Sequence, residues 1–121
     1  MATTLTEGQH RGEFIVSEAN GYRSRESVTI ASGETLVPGT VLGFTGSEYK
    51  TYDPNNADGS QTAVAISFDH VDATGGAVSA PIIARDAEVN DAELVWFSGA
   101  TAGQKTTGLG ELEAQSGIVA R

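Results

Sequence analysis

The chain of 121 residues has no cysteine, one methionine, one tryptophan and only seven lysine or arginine residues. The absence of cysteine excludes a disulfide framework and a thiolate metal site, so nothing in the sequence calls for an oxidising compartment. No apolar run approaches the length that spans a bilayer, and residues 1–4 lack the basic and apolar regions of a signal peptide. We therefore expect a soluble protein that is made in the cytoplasm and does not enter a membrane.

Positive charge is scarce, because sixteen acidic residues oppose seven basic ones and give a net charge of −9. Such a chain repels the phosphate backbone of nucleic acids, which argues against direct nucleic-acid binding. The length and the 39% of hydrophobic residues allow one domain with a modest core. A domain of this size is often completed by a partner.

Apolar runs separated by short turn sequences predict a mainly β body. Between residues 35 and 69, strands are expected over 41–44, 48–52 and 63–68, because the Gly, Pro, Asn and Asp clusters between them are too short to hold a helix. In the third strand the period of two sets large side chains toward a core and small ones toward a close neighbour. The large ones are Val64, Ile66 and Phe68, and the small ones are Ala63, Ala65 and Ser67.

The second half of the chain continues with short elements and one helix. Residues 104–115 contain helix formers, but Gly108 and Gly110 each weaken a helix by about 1 kcal/mol relative to alanine. Gly117 is a plausible helix stop, and Pro81 favours an edge position or a bulge for its strand. A turn region is expected over 70–77, a loop over 99–103 and a turn or a single helical turn over 90–93. Strands are expected over 27–31, 78–85, 88–89, 94–97 and 118–121.

The first 26 residues are polar, and their only apolar cluster is Phe14-Ile15-Val16. Three such residues bury too little surface to offset the ordering entropy of two dozen, at about 1–2 kcal/mol each. We expect a flexible arm over residues 1–26 and a compact β body over 27–121. The arm could add a strand to an exposed sheet edge on another chain, or be a plain disordered terminus.

Familiar catalytic and metal-binding patterns are missing. The segment 53–59 lacks the ligand spacing of a calcium loop and suits turns instead. The two histidines, His10 and His70, form no metal-ligand motif, and there is no nucleophile elbow or phosphate-binding glycine loop. The carboxylates Asp69 and Asp72 could in principle serve as acid and base, but sixteen acidic residues make such proximity common by chance. We expect no metal, no cofactor and no enzyme activity.

Four phrases carry a resemblance: EFIVSEANGYRSRE, TLVPGTVLG, YDPNNADGSQTAVAI and RDAEVNDAEL. In matching order and spacing they are similar to the head decoration protein D family of lambda-like tailed bacteriophages, over nearly all of residues 13–121. The resemblance implies a non-enzymatic virion protein, made in the host cytoplasm, that sits as homotrimers on the outer surface of the expanded capsid and stabilises it against internal DNA pressure. It also implies a body of the β-clip type, and an arm that becomes ordered by pairing with the major capsid protein.

The resemblance also implies roles for particular residues. Phe14, Ile15 and Val16 would fill pockets on the capsid, arginines would steer docking, and three arms acting together would raise avidity about 10²- to 10⁴-fold. The implied capsid-binding residues are Glu13, Phe14, Ile15, Val16, Ser17, Arg23 and Arg25, and the candidates for a trimer interface or core are Tyr52, Trp96 and Phe97.

A different class of function is compatible with the same composition. A small acidic β domain could bind carbohydrate or another surface ligand through an exposed aromatic platform of Tyr49, Tyr52 and Trp96. A monomer in solution, or tryptophan fluorescence that responds to sugars, would favour this alternative.

Overall fold

The structure is a computed structural model that describes residues 12–19 and 23–121. The described chain is mainly β with one C-terminal helix, as predicted. Its strands are β1 (Ile15–Glu18), β2 (Arg25–Ile30), β3 (Thr35–Leu36), β4 (Val41–Phe44), β5 (Tyr49–Thr51), β6 (Ala65–Ser67), β7 (Val71–Asp72), β8 (Val78–Ile83), β9 (Ala87–Val89) and β10 (Ile118–Ala120), and the helix is α1 (Ala102–Ser116).

Five strands form a closed sheet in the order β2, β5, β4, β6 and β8. The longest ladder joins β2 and β8 antiparallel, from the pair Arg25 and Ile83 to the pair Ile30 and Val78. The sheet closes where Ile30 of β2 pairs with Tyr49 of β5 in parallel. Because these strands pair on both sides, the body exposes no free strand edge there.

A second sheet has the order β1, β9 and β10, and β3 and β7 form a small separate ribbon. β1 pairs with β9 antiparallel and β10 pairs with β9 in parallel. One core cluster lies between this sheet, α1 and the closed sheet, and includes Phe14, Tyr52, Leu112 and Ile118. The other, which includes Ile30, Leu42 and Ile82, is built mainly from the strands of the closed sheet.

β6 lies between the two clusters and is buried on both faces. Ile66 and Phe68 face the first cluster and Ala65 the second, as the alternation predicts. Ala63 and Val64 lie on the sides opposite to those predicted, because the strand begins only at Ala65 and the residues before it do not keep the period of two. The small side chain of Ala65 thus faces a second apolar core.

Three sequence expectations for the later part of the chain need correction. Residues 94–97 form no strand and contribute only a single bridge, from Val95 to Thr40. The turn region 70–77 includes β7, which pairs with β3. Pro81 lies within the closed sheet rather than at its edge. It is tolerated because the ladder between β6 and β8 ends at this point: the Pro81 carbonyl accepts the Phe68 N–H at 3.3 Å, and the Phe68 carbonyl accepts the Gly12 N–H at 3.0 Å in place of the donor that proline lacks.

The predicted boundary between a flexible arm and a compact body, at residue 26, is also wrong for residues 12–19 and 23–26, the part of the arm that the structure describes. Phe14 is only 1% exposed and belongs to the first core cluster, and its carbonyl accepts the Asn90 N–H at 2.7 Å. The prediction weighed the apolar surface of the segment alone, whereas the body supplies the pocket that buries it. Residues 1–11 and 20–22, which the prediction also assigned to the arm, lie outside the described residues.

The helix α1 starts two residues before the predicted range and stops where predicted. Thr101 accepts the Gln104 N–H through its hydroxyl at 3.2 Å, and the Gln104 side chain accepts the Thr101 N–H at 3.0 Å, which completes a capping box. Gly117 ends the helix with a left-handed φ of 64°. Gly108 brings the helix against the rings of Trp96 and Tyr52.

The two helix glycines are expected to respond in opposite directions to alanine. A Cβ at Gly108 would lie 2.6 Å from Trp96 Cζ3 and 3.1 Å from Tyr52 Cε2, whereas nothing lies within 4 Å of a Cβ at Gly110. Gly108→Ala should lower the free energy of unfolding by about 1–3 kcal/mol through overpacking. Gly110→Ala should raise it by up to about 1 kcal/mol. Urea unfolding of both variants measures the contrast, and stabilisation by Gly108→Ala would contradict this packing.

Candidate functional site

β1 is an edge strand with one exposed aliphatic side chain. It pairs with β9 on one side, and among residues 12–19 and 23–121 no strand covers its other side. The register shifts between Ile15 and Ser17, so Val16 is an additional residue in the ladder. Its side chain is 58% exposed. An open edge with a β-branched residue facing solvent is suited to strand addition by another chain.

The structure separates the residues predicted to bind a capsid into two groups. Phe14 is in the core, and Ile15 is half-buried and packs against it, so neither can fill a pocket on another protein in this conformation. The outward-facing members are Glu13, Val16, Ser17 and Arg23.

Arg25 fastens β1 to β2. Its guanidinium makes two hydrogen bonds to the Glu18 carboxylate, at 2.6 and 3.1 Å. It also stands over the Phe68 ring, 4.2 Å from the centroid. A bidentate, half-buried pair of this kind holds both side chains in place. The arginine that the resemblance assigns to docking therefore positions the edge strand.

A buried serine fixes the end of the same segment. The Ser24 hydroxyl accepts the Ala19 N–H at 2.9 Å and donates to the Asp86 carbonyl at 2.7 Å. Asp86 has a positive φ of 51° and its N–H donates to the Ser116 carbonyl at 3.0 Å. These hydrogen bonds connect the end of β1, the start of β9 and the end of α1. No motif in the sequence identifies Ser24 or Asp86 as the residues that make them.

The aromatic candidates form one cluster. Tyr52 is buried, with 1% exposure, and the half-buried rings of Trp96 and Phe97 pack edge-on against it, each with a centroid separation of 6.0 Å. Burial raises the pKa of the Tyr52 hydroxyl, and the Glu111 carboxylate raises it further. Tyr52 is thus a core residue, while Trp96 and Phe97 each keep part of their surface in solvent.

This arrangement overturns the aromatic platform suggested as a carbohydrate site. Tyr52 is inaccessible, and Tyr49 lies instead on the closed sheet, where its ring is 4.7 Å from that of Phe44. The alternation of side chains along a strand cannot show which aromatic residues a distant helix covers. The three rings form no continuous exposed surface.

Tyr52→Phe is expected to leave the fold as stable as before or to stabilise it by up to about 1–2 kcal/mol. No described group meets hydrogen-bond geometry with the buried Tyr52 hydroxyl, although the Glu111 carboxylate lies near enough to raise its pKa, and a buried polar group without a partner costs about that much. Urea unfolding of the variant measures the change, with Tyr52→Ala as the variant that also removes the ring. A loss of more than about 1 kcal/mol in Tyr52→Phe would show that the hydroxyl is satisfied.

The carboxylates of Asp53, Asp58 and Asp72 accept hydrogen bonds within local turns. Asp53 Oδ1 accepts the Asn55 N–H at 2.9 Å, which confirms the turn interpretation of 53–59. Hydrogen bonds from Thr74 lower the pKa of Asp72, and those from Ser60 lower the pKa of Asp58 to about 2. A general acid needs a raised pKa, whereas the pKa values of Asp58 and Asp72 are lowered. These shifts therefore do not favour either residue as a general acid.

Within residues 12–19 and 23–121, no group of three or more His, Asp or Glu side chains is placed to hold a metal ion. The helices of these same residues include none with the length and apolar character of a membrane span. His10 lies outside these ranges, and His70 is exposed.

Comparison with known proteins gives one family match. The family model described as bacteriophage lambda head decoration protein D matches residues 4–118, nearly the whole chain. No curated protein matches the chain. The family is one of structural phage proteins that bind the capsid and is not known for enzymatic activity. The chain belongs to the bacteriophage lambda head decoration protein D family.

Proposed function

We propose that this head decoration protein binds as homotrimers to the outer surface of the expanded head and stabilises it against internal DNA pressure. The partner is the major capsid protein. The observation that carries the proposal is the open edge of β1, with Val16 exposed on a strand that is otherwise anchored in the core.

Capsid binding by strand addition follows from that edge. A capsid segment that pairs with β1 would gain main-chain hydrogen bonds, and its side chains would cover Val16. Residues 1–11 directly precede this segment in the sequence, and we assign them to the same contact. Glu13 and Ser17 flank it on the exposed side.

Trimer formation makes weak contacts sufficient. A single short strand with one apolar residue binds weakly, but three such strands on one trimer act together and raise avidity about 10²- to 10⁴-fold. Trp96 and Phe97 are the interface candidates, because they are half-buried on Tyr52 and leave apolar ring surface in solvent. A clamp that joins neighbouring capsid subunits opposes their separation.

The capsid contact is tested by sedimentation with expanded heads that lack decoration protein. Val16→Asp places a charge on the exposed site and should weaken binding at least tenfold, as should deletion of residues 1–11. Thr29→Asp, on an exposed position of β2 in the closed sheet, adds the same charge elsewhere and should bind normally. Equal binding by Val16→Asp and the unmodified protein would overturn the role of β1.

The oligomeric state is tested separately by light scattering. A trimer has three times the chain mass of 12.5 kDa. A monomer at the concentrations used for head binding would overturn the trimeric mechanism. Heads saturated with the protein should also retain DNA at temperatures at which undecorated heads release it.

A further inference from the structure

The chain has a single Asp-Gly bond, Asp58–Gly59, in the connection between β5 and β6. In such a pair the glycine nitrogen can attack the carboxyl carbon of the aspartate, because glycine has no side chain to obstruct the approach. Asp58 is exposed, so water reaches the bond. The groups needed for a spontaneous modification of the main chain therefore lie next to each other in this turn.

The packing requires glycine at position 59. Gly59 has a positive φ of 109°, and a Cβ at this position would collide with the Phe44 carbonyl oxygen at the end of β4. The Asp58 carboxylate is needed too, because it accepts hydrogen bonds from the Ser60 N–H at 3.1 Å and from Lys50 Nζ at 3.3 Å. The fold thus depends on both members of a chemically weak pair.

Hydrogen bonds to the Asp58 carboxylate oppose the reaction. The carboxyl carbon accepts a nucleophile only in the protonated acid, because one oxygen then leaves as water. The Ser60 hydroxyl donates to Asp58 Oδ1 at 2.5 Å, and it accepts the Asn56 side-chain amide at 2.9 Å. Hydrogen bonds from the Ser60 hydroxyl and N–H favour the ionised form and lower the pKa of Asp58 to about 2. The reactive acid is therefore scarce near neutral pH.

The attacking nitrogen is also held by a hydrogen bond. The Gly59 N–H donates to Gln61 Oε1 at 2.7 Å, and the nitrogen must lose this proton to become a nucleophile. The turn is closed by a further hydrogen bond, from the Asp53 N–H to the Ser60 carbonyl at 3.1 Å. Both reacting groups therefore have other partners as long as the turn is closed.

We propose that Asp58–Gly59 is a latent modification site, which converts to isoaspartate when the turn opens and which Ser60 and Gln61 protect while it is closed. The Gly59 nitrogen bonds to the Asp58 carboxyl carbon, and the amide proton leaves with the carboxyl hydroxyl as water. The cyclic imide then takes up water at either carbonyl and gives aspartate or isoaspartate. An exposed turn opens far more often than the whole domain unfolds. The inference does not depend on head binding.

The modification changes the turn permanently. Isoaspartate carries the main chain through the former side chain, so the backbone gains one carbon atom. The carboxyl group that accepted the Ser60 hydrogen bonds becomes a peptide carbonyl. Gly59 is displaced from its close contact with the Phe44 carbonyl, so each conversion loosens the turn from the end of β4.

Prolonged storage of the full chain at neutral pH tests the site. Isoaspartate at position 58 is measured in the tryptic peptide 51–85 by chromatography and electron-transfer fragmentation. Deamidation of Asn55 or Asn56 in the same peptide is distinguished because it raises the mass, whereas isomerisation of Asp58 does not. The folded protein should convert at least about tenfold more slowly than the chain unfolded in guanidinium chloride.

Substitutions in the turn identify the protecting groups. In the folded state, Ser60→Ala and Gln61→Ala should each convert about threefold faster or more, because each loses one of the hydrogen bonds that engage the reacting groups. Gln115→Ala makes the same change at an exposed position of α1 and should leave the rate unaltered. Gln61 is exposed, so thermal unfolding of Gln61→Ala should match that of the unmodified protein, which excludes global unfolding as the cause.

Three results would overturn the inference. An unfolded chain that forms no isoaspartate at position 58 would show that the bond is not a modification site. Equal rates in the folded and unfolded protein would show that the closed turn gives no protection. Rates for Ser60→Ala and Gln61→Ala equal to that of Gln115→Ala would show that these two side chains are not the protecting groups.

Discussion

Replacing Phe14 with alanine is expected to lower the free energy of unfolding by about 3–5 kcal/mol, the cost of removing a fully buried phenylalanine. Phe14 is 1% exposed and lies in the core cluster with Val89, Leu112 and Ile118. Because a domain of this size is stable by only about 5–15 kcal/mol, the substitution removes a large share of its stability. It should also release β1, whose paired residues follow Phe14 directly.

Val16→Ala provides the matched control for this prediction. It truncates an aliphatic side chain two residues away that is 58% exposed, so the expected change is within about 0.5 kcal/mol. Urea unfolding monitored by the fluorescence of Trp96 gives both values. Similar effects of the two variants would show that Phe14 does not lie in the core of the protein in solution.

Gly43→Ala is expected to destabilise the protein by about 3 kcal/mol or more, at or above the upper end of ordinary overpacking. A Cβ at this position would collide with the Ser60 Cα and lie 2.6 Å from the Ser60 carbonyl oxygen. Both atoms belong to the backbone, so no side-chain rotation relieves the clash. β4, or the turn that contains Ser60, must move.

Two measurements distinguish a local from a global effect of Gly43→Ala. Urea unfolding gives the loss of stability, and Gly75→Ala, where a Cβ has nothing within 4 Å, should leave it nearly unchanged. Titration of Asp58 followed by NMR reports on the turn, because hydrogen bonds from Ser60 hold its pKa near 2. If the turn detaches, that pKa should rise toward its ordinary value of about 3.9. Normal stability and an unaltered titration would contradict the close contact.

Local patterns in the sequence predicted much of the fold. β4 and β5, the helical turn at 91–93, and the helix stop at Gly117 lie where turn residues, alternation and glycine indicate them. The errors concern features that depend on distant residues. The two-residue strands β3 and β7 exist only as each other's partner, and Phe14 is buried by a pocket that residues far along the chain provide.

The candidate site was predictable in position but not in detail. The sequence identified the segment around Phe14, Ile15 and Val16 as unusual, yet side-chain type alone could not decide which of the three faces inward. The bulge between Ile15 and Ser17 decides which of these side chains faces inward. This bulge arises from the pairing of β1 with β9. Arg121 could not be associated with the segment, because only the parallel pairing of β10 with β9 brings the C-terminal residue beside it.

The order of contacts along the N-terminal segment has a mechanical consequence. Tension applied through the residues before Gly12 meets the hydrogen bond from the Gly12 N–H to the Phe68 carbonyl and then the aromatic anchor Phe14, and only afterwards the paired residues of β1. The strand therefore cannot peel from its leading end until that ring has been pulled out of its pocket. A tether arranged in this order fails abruptly at a threshold load, and below that load it transmits force to the body without lengthening.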